Sequence, residues 1–164
     1  MGERFSSQFA APVVIVGVAT AKKKNIMTAA WVSTISFDPP IVMVSISPRR
    51  YTHDLLLEAK EFTLSILTDQ QRQLSTTAGV SSGRKHDKLK LDIFKIQEGK
   101  KVKAPLIMDS RAMLECKLIK HFTVGDHTLF LGEVVHFTCD KSKSPLILFD
   151  RKYYSLGEYL ADYP

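Results

Sequence analysis

The sequence has few cysteines, because only Cys116 and Cys139 occur among its 164 residues. They form no CxxC pair, and their spacing from the five histidines matches no common zinc motif. A disulfide-stapled secreted domain is therefore not expected, a reducing compartment is consistent with the count, and we assign no metal ligand. Cys116 alternates with Leu114 and Leu118 in a strand-like run, so we expect a buried thiol there.

Long hydrophobic runs are also absent from the sequence. The longest apolar stretches, such as APVVIVGVATA over residues 11–21, are too short to span a bilayer. The first nine residues, MGERFSSQF, lack a basic segment followed by an apolar one. We therefore expect a cytoplasmic protein that neither enters a membrane nor is exported.

The familiar catalytic motifs are missing as well. Neither GxSxG nor HExxH occurs, and no GxGxxG follows a strand-like run. The segment GVSSGRKH, residues 79–86, resembles a nucleotide-binding phosphate loop, but its glycines are one residue too close and Arg84-Lys85 replaces Lys-Ser/Thr. An ATPase is therefore not expected. The hydroxyls, amides and cations of this segment are nevertheless suited to a phosphate group.

What the chain does have is apolar content and a surplus of positive charge. Its 164 residues are 45% hydrophobic, so we predict a single domain over residues 1–164. The net charge of +6 is concentrated in three predicted turns or loops, over residues 22–24, 84–90 and 100–103. These clusters lack interleaved aromatic residues and do not favour nucleic acid. A small molecule that carries phosphate is the better-suited anionic partner.

The distribution of Val, Ile, Thr and Phe predicts a mainly β protein with short helices. Gly125-Asp126 fits the tight turn of a hairpin, and Pro39-Pro40 should lie at the rim of the sheet. An antiparallel barrel with helical additions accommodates the pattern. The predicted strands are PVVIVGVAT (12–20), IMTAAWVSTIS (26–36), IVMVSIS (41–47), FTLSILT (62–68), RAMLECKLIKHFTV (111–124) and TLFLGEVVHFTC (128–139).

Two short helices are predicted between these strands. Thr52 is a candidate N-cap for a helix through HDLLLEAKE, residues 53–61. Asp69 can cap a second helix, QQRQLSTTA over residues 70–78, and Gly79 is placed to end it. The polar and basic stretch VSSGRKHDKLK, residues 80–90, is predicted to be a surface loop.

Six segments of the sequence, taken in order, resemble the flavin reductase-like family. They are NIMTAAWVSTISFDPP, IVMVSISPRRYTHDLL, EFTLSIL, SGRKHDKL, KAPLIMDSRAMLEC and GDHTLFLGEVV, and the resemblance extends from about Ala11 to Tyr154. The ordered set is specific, and within the family it resembles the flavoredoxin-like branch. The resemblance implies an antiparallel FMN-binding split β-barrel.

The resemblance also implies a function. The protein would bind FMN, take electrons from NADH or NADPH as a flavin reductase or related oxidoreductase, and assemble as a homodimer. A protein electron donor or acceptor is a further partner that the resemblance allows. The cofactor-binding positions that it implies are Asn25, Met27, Thr28, Ala29, Ala30, Trp31, Ser45, Ser47, Arg50, Thr52, Ser82, Gly83, Lys85 and Lys88.

The implied roles differ along the chain. Small side chains at Thr28, Ala29 and Ala30 would let the strand backbone approach the flat isoalloxazine ring. Periodicity alone instead favours an ordinary strand with Trp31 in the core. The resemblance makes His127 the catalytic candidate, positioning the dihydronicotinamide, although an ordinary turn histidine explains its place in the hairpin equally well.

The polar positions have two interpretations too. Those from Ser45 to Thr52 and from Ser82 to Lys88 would hold the ribityl chain and the phosphate, with Asp87 orienting a neighbouring lysine. Without the resemblance they are a strand end, a helix cap and a solvated loop. Asn25 would either hydrogen-bond the flavin or shape the lysine turn before it.

Two other functions stay open at this point. An FMN carrier without enzymatic activity would have the same flavin site, and a small basic barrel is also suited to an oligonucleotide. Bound flavin distinguishes the oligonucleotide-binding module from the other two functions. Turnover with NAD(P)H distinguishes the reductase from the carrier.

Overall fold

The computed structural model describes residues 5–163, so the first four residues of MGERFSSQF, the segment that lacks a leader pattern, lie outside it, as does Pro164. The chain is mainly β with two short helices, as predicted. The helices are α1 (Tyr51–Ala59) and α2 (Arg72–Val80), and 3₁₀ turns cover Phe5–Gln8, Asp69–Gln71 and Lys88–Lys90. The strands are β1 (Ala11–Pro12), β2 (Val14–Ala19), β3 (Lys24–Ala29), β4 (Val32–Phe37), β5 (Pro40–Ile46), β6 (Glu61–Ile66), β7 (Ile96–Glu98), β8 (Pro105–Ile107), β9 (Ala112–Val124), β10 (His127–Cys139), β11 (Ile147–Phe149) and β12 (Lys152–Tyr154).

A seven-stranded sheet carries most of the fold. Its order is β3-β2-β6-β9-β10-β5-β4, and every neighbouring pair is antiparallel. The strands β1, β11 and β12 form a second sheet, and β7 pairs with β8. The antiparallel architecture predicted from the sequence is therefore confirmed.

The predicted strand over residues 26–36 is wrong, because it divides into β3 and β4. These two strands are the opposite edges of the seven-stranded sheet, and the chain passes between them at Ala30 and Trp31. The Trp31 carbonyl accepts a hydrogen bond from the Ser45 amide of β5 at 2.9 Å. Periodicity gave one run because both strands have strand-like composition, and it carries no information about where a chain changes partners.

The prolines lie where the sequence placed them. Pro39 and Pro40 are exposed where the chain turns from β4 into β5, and Pro40 is the first residue of β5, a strand position that tolerates a missing donor. Gly125 has φ of +59° in the turn between β9 and β10, and His127 pairs with Val124 directly after it. The predicted hairpin with glycine at its first central position is confirmed.

The strand β2 lies at the centre of the core, and all six of its residues are buried. Val14, Val16 and Val18 pack with Phe62 and Phe130 in one apolar cluster. Ile15, on the other face of β2, belongs to a second cluster that contains Leu74 and Ala78 of α2. Both faces of β2 are thus covered, which explains the continuous apolar run in its sequence.

Cys116 lies in the first cluster and is fully buried, as predicted from its alternation with leucines. Burial, with a smaller contribution from the neighbouring Glu115 carboxylate, raises the pKa of this thiol to about 12. Cys139, at the end of β10, is exposed. The two thiols therefore differ in their access to solvent.

The helix boundaries differ from the predicted ones. Arg50, and not Thr52, is at the N-cap of α1, while the Thr52 hydroxyl inside the helix accepts a hydrogen bond from Asn25 at 2.8 Å. A 3₁₀ turn that follows Thr68 precedes α2, so Asp69 is not its cap. Gly79 lies inside α2, where an added Cβ would contact Thr28 at 3.5 Å. Tertiary contacts, which a local motif does not report, decide these positions.

Two absences apply to the described part of the chain. Over residues 5–163, no helix has the length and apolar character needed to cross a membrane. The same residues contain no group of three or more His, Cys, Asp or Glu side chains arranged to hold a metal ion.

Candidate functional site

Two adjoining cavities lie where the free edge of β3 approaches the end of β5. The larger one, called the large cleft here, measures ≈ 790 Å³. This volume lies within the range of cofactor sites. The large cleft is lined by Met27, Thr28, Ala29, Ala30, Trp31, Ser45, Ile46, Ser47, Arg49, Arg50, Asp126 and His127.

The smaller one, called the basic cavity, measures ≈ 160 Å³ and shares Met27, Arg49 and Arg50 with the large cleft. It lies between α1, the end of α2 and the loop that follows α2. It is lined by Asn25, Met27, Arg49, Arg50, Tyr51, Thr52, Ala78, Gly79, Val80, Ser81, Ser82, Gly83 and Lys88. The structure thus brings together all but one of the predicted site residues.

The passage between β3 and β4 forms one wall of the large cleft. Ala29 and Ala30 have small side chains there, which leaves the backbone of this edge accessible. Trp31 is 47% exposed, so the prediction of a core tryptophan from periodicity is wrong. Its ring lies 4.7 Å from the His127 ring, centroid to centroid, with the planes tilted by 39°. Two aromatic rings therefore border the cleft.

His127 is held by its neighbour in the hairpin. Its Nδ1 lies 2.8 Å from Oδ1 of Asp126. The hydrogen bond and the charge of His127 lower the pKa of Asp126 below its ordinary value, so this carboxylate is ionised and accepts the Nδ1 proton. The turn geometry thus fixes the tautomer of a histidine that lines the cleft.

In the basic cavity, Asn25 and Gly83 are closely packed. Asn25 is buried, and an added Cβ at Gly83 would overlap its carboxamide. The same Cβ would lie 3.1 Å from the Tyr51 ring. Glycine is therefore required at this point of the loop, because any larger residue would push the loop away from β3 and α1.

Lys88 is 3% exposed, although the sequence placed it in a surface loop. Its Nζ donates hydrogen bonds to the carbonyls of Ala78 at 2.8 Å and Ser81 at 3.0 Å, at the carboxyl end of α2. Burial, followed by repulsion from Arg50, lowers the pKa of Lys88 to about 8. A cation is thus held inside the cavity wall, and the prediction of a solvated lysine is wrong.

Lys85 and Asp87 differ from their predicted roles, and one residue that lines the cavities was not predicted. In the described chain, Lys85 is exposed and lies outside the lining of both cavities. Asp87 accepts a hydrogen bond from the Leu89 amide at 3.2 Å, so this carboxylate caps a 3₁₀ turn. The sequence reasoning missed Arg49, which lines both cavities. Its position beside Arg50 was the available signal.

Comparison with known proteins places the chain in a family. The model of the "Flavin reductase like domain" matches residues 5–157. An uncharacterized protein of Archaeoglobus fulgidus is 41% identical over 121 residues, which cover 74% of this chain and 68% of that protein. The NADH:riboflavin 5'-phosphate oxidoreductase of Streptomyces pristinaespiralis is 32% identical over 151 residues, covering 91% of this chain and 83% of the relative.

Solved structures agree with the family match. An FMN-binding protein from Thermus thermophilus, with bound 1-cyclohex-2-enone, is 31% identical with a TM-score of 0.87, covering 99% of this chain and 97% of that one. The NADH:FAD oxidoreductase SgcE6 of Streptomyces globisporus, in complex with NAD and FAD fragments, is 26% identical with a TM-score of 0.86, and the coverage is 94% and 90%. The chain described here therefore belongs to the flavin reductase-like family and has its antiparallel split-barrel fold.

Proposed function

We propose that this protein binds FMN and acts as an NAD(P)H-dependent flavin reductase. The observation that carries the proposal is that the large cleft and the basic cavity adjoin each other and share Met27, Arg49 and Arg50 in their walls. A flat ring system fits the first and a phosphate fits the second. Membership in the flavin reductase-like family supports the same conclusion.

The residues of the basic cavity fit a phosphate group. Lys88 supplies a buried cation, and Arg49 and Arg50 line the boundary with the large cleft. The hydroxyl of Ser82 is an additional donor, and charge-assisted donors are the strong ligands of phosphate. The basic cavity is small and the chain lacks a dinucleotide fingerprint. These features favour FMN over FAD.

The proposed site consists of the residues that line the two cavities. It includes the predicted cofactor-binding residues from Asn25 to Trp31, the polar residues from Ser45 to Thr52, and Ser82, Gly83 and Lys88. Lys85 stays a predicted phosphate contact, which its side chain would reach only after moving from its exposed position. His127 is the proposed catalytic residue.

The proposed chemistry asks the chain for alignment more than for a nucleophile. Bound FMN would supply the acceptor for a hydride from dihydronicotinamide. The accessible backbone at Ala29 and Ala30 would orient the flavin ring, and Trp31 with His127 would limit where a second flat ring could lie. Asp126 keeps the His127 imidazole in one tautomer. This division of labour explains why no catalytic motif is needed.

A non-enzymatic FMN carrier is the second candidate function. The likeness to the FMN-binding protein of Thermus thermophilus favours it, because that name states binding and no turnover. A carrier needs the same two cavities but no room for nicotinamide. The two candidates therefore differ in reaction with NADH or NADPH and not in cofactor.

The test is absorption spectroscopy of the purified protein, followed by anaerobic addition of NADH and NADPH. We expect a flavin spectrum, FMN as the cofactor released in chromatography, and bleaching by at least one nicotinamide. Bleaching by dithionite alone would favour the carrier. Stoichiometric FAD, or no flavin after reconstitution, would reject the FMN assignment.

A pair of variants connects this test to the large cleft. Ala30→Leu places a bulky side chain at the accessible backbone, and we expect it to abolish or strongly weaken flavin binding. Ala10→Leu is the matched control, because Ala10 is exposed and lies outside both cavities of the described chain. Equal flavin contents in the two variants would contradict the proposed position of the ring.

Assembly and location complete the proposal. A homodimer is supported by exposed apolar side chains on the β9–β10 hairpin, where Ile119, Phe122 and Val124 are each more than 40% exposed. A protein electron donor or acceptor is the second macromolecular partner that we propose.

We also propose a cytoplasmic location and one domain over residues 1–164. The free thiols of Cys116 and Cys139 are consistent with a reducing compartment.

A further inference from the structure

The loop over residues 81–87 forms a wall of the basic cavity without belonging to a strand or helix. It closes on itself, because the amides of Lys85 and His86 donate to the Ser82 carbonyl at 3.0 and 3.1 Å. The buried Lys88 fixes its base to α2. These contacts shape the loop internally but do not hold its middle against α1, where Ser82 and Gly83 border the cavity.

Arg84 adds a polar contact to α1, beside the close packing of Gly83 against the Tyr51 ring. Its Nη2 donates to Oδ2 of Asp54 at 2.6 Å, and its guanidinium carbon lies 5.0 Å from the centre of the Tyr51 ring. Tyr51 is in the first turn of α1 and lines the basic cavity. The guanidinium is thus shared between a carboxylate and an aromatic face, an arrangement that lysine cannot reproduce.

Asp54 is itself held by the core. Its Oδ1 lies 3.4 Å from Nδ1 of His53, whose Nε2 lies 2.9 Å from Oγ1 of Thr128 on β10. His53 and Thr128 are both buried. The carboxylate that receives Arg84 therefore belongs to the rigid part of the molecule, and the arginine belongs to the loop.

We infer that Asp54 and Arg84 are positioning residues, forming a latch that holds the 81–87 loop in the conformation that binds the cofactor phosphate. This inference rests on the proposed function, since it concerns the phosphate end of the same site. It also removes Arg84 from the set of direct phosphate ligands, because the guanidinium is committed to α1. A preordered loop binds more tightly because it has less entropy to lose.

The change in FMN affinity on removal of the Asp54 carboxylate distinguishes a latch from a direct phosphate ligand. If Arg84 bound the phosphate itself, removal of the competing Asp54 carboxylate would leave FMN affinity unchanged or improve it. The latch requires the opposite result. Asp54→Ala and Arg84→Ala should each raise the FMN dissociation constant by about five- to tenfold, and the double variant should be no worse than either one. Lys90→Ala, which removes an exposed cation just beyond the loop, is the matched control and should bind FMN normally.

Amide hydrogen exchange in the apoprotein gives a second, cofactor-independent measurement. The latch predicts faster exchange over residues 81–87 in both single variants and unchanged exchange in Lys90→Ala, with little change in melting temperature because the ion pair is half exposed. Unchanged loop exchange, additive losses of affinity, or tighter FMN binding by Asp54→Ala would each overturn the inference. If the wild-type protein binds no FMN, the proposed function fails, while the exchange experiment still decides whether the latch exists.

Discussion

Two basic side chains of different chemistry lie in the two adjoining cavities. Lys88 is buried at the end of α2, and His127 borders the large cleft beside Trp31. The lysine can attract an anion through its charge. The histidine instead presents an imidazole ring whose Nδ1 atom is hydrogen-bonded to Asp126. Substitution of Lys88 should therefore affect cofactor affinity, and substitution of His127 should affect the rate of flavin reduction.

His127→Ala should slow the anaerobic bleaching of bound FMN by NADH or NADPH by roughly tenfold or more, because it removes a group that positions the reacting rings. The FMN dissociation constant should stay nearly unchanged. Stopped-flow absorption measures the first quantity and fluorescence titration the second. His86→Ala is the control, since this exposed imidazole lies outside both cavities of the described chain. Loss of FMN from the His127→Ala protein would place the histidine among the binding residues instead.

We expect Lys88 to make FMN affinity depend on pH. Its lowered pKa of about 8 applies to the free protein, and only the protonated amine attracts the phosphate dianion. FMN affinity should therefore be highest below pH 8 and fall as the pH rises above 8. Lys88→Met should bind FMN about tenfold or more weakly at pH 7 and lose this dependence. Calorimetry from pH 7 to 9.5 checks both expectations, with Lys90→Met as the control. If FMN affinity also fell above pH 8 in the Lys88→Met protein, Lys88 would be excluded as the cause of the pH dependence.

At the scale of secondary structure, the sequence predicted most strands and both helices but not where strands exchange neighbours. The hairpin at Gly125 and the buried run of β2 were predictable, because turn chemistry and apolar patterning are local signals. The break at Ala30 was not, since β3 and β4 have similar composition and only the sheet order separates them. The candidate site residues were proposed from the family resemblance, whereas the burial of Lys88 was not predictable because it depends on how the loop folds back on α2.

The packing of β2 against β8 gives a stability prediction. An added Cβ at Gly17 would overlap the Pro105 carbonyl oxygen and the Thr63 hydroxyl, both of which belong to rigid strands. Gly17→Ala should therefore lower the free energy of unfolding by about 1–3 kcal/mol. Gly157→Ala is the matched control, because a Cβ there would meet nothing within 4 Å. Urea denaturation measures both, and equal midpoints would show that the two strands can separate at little cost.

At the scale of the whole molecule, the net charge of +6 is not used evenly. The cluster around Lys88 reaches a cavity, while Lys22 and Lys23 lie exposed in the turn before β3. In the cluster over residues 100–103, the Glu115 carboxylate accepts hydrogen bonds from the backbone amides of residues 100–102. These bonds fix the loop but do not pair each lysine side chain with a carboxylate. The surplus charge is thus local to individual loops, which suits a small phosphorylated ligand better than a long polyanion.

Assembly is the prediction that belongs to this scale. The purified holoprotein should have twice the 18.5 kDa mass of one chain in light scattering, with a closed two-fold interface that does not grow into larger species. Dilution should reveal a single dissociation step. A monomeric holoprotein that retains FMN tightly would contradict the homodimer without affecting the proposed chemistry.

Because Cys139 is exposed and Cys116 is buried, chemical modification of the two thiols can report on unfolding. A thiol-specific reagent reacts with the thiolate, so the exposed Cys139 is modified at once, whereas Cys116, buried with a pKa of about 12, is shielded by access and by acidity. At a reagent concentration high enough for modification to outpace reclosing, the second equivalent of reagent is consumed only as fast as β6 and β9 separate. Counting modified thiols against time then measures the opening rate of the barrel centre in the native buffer, and flavin that stabilises the closed form would lengthen that time.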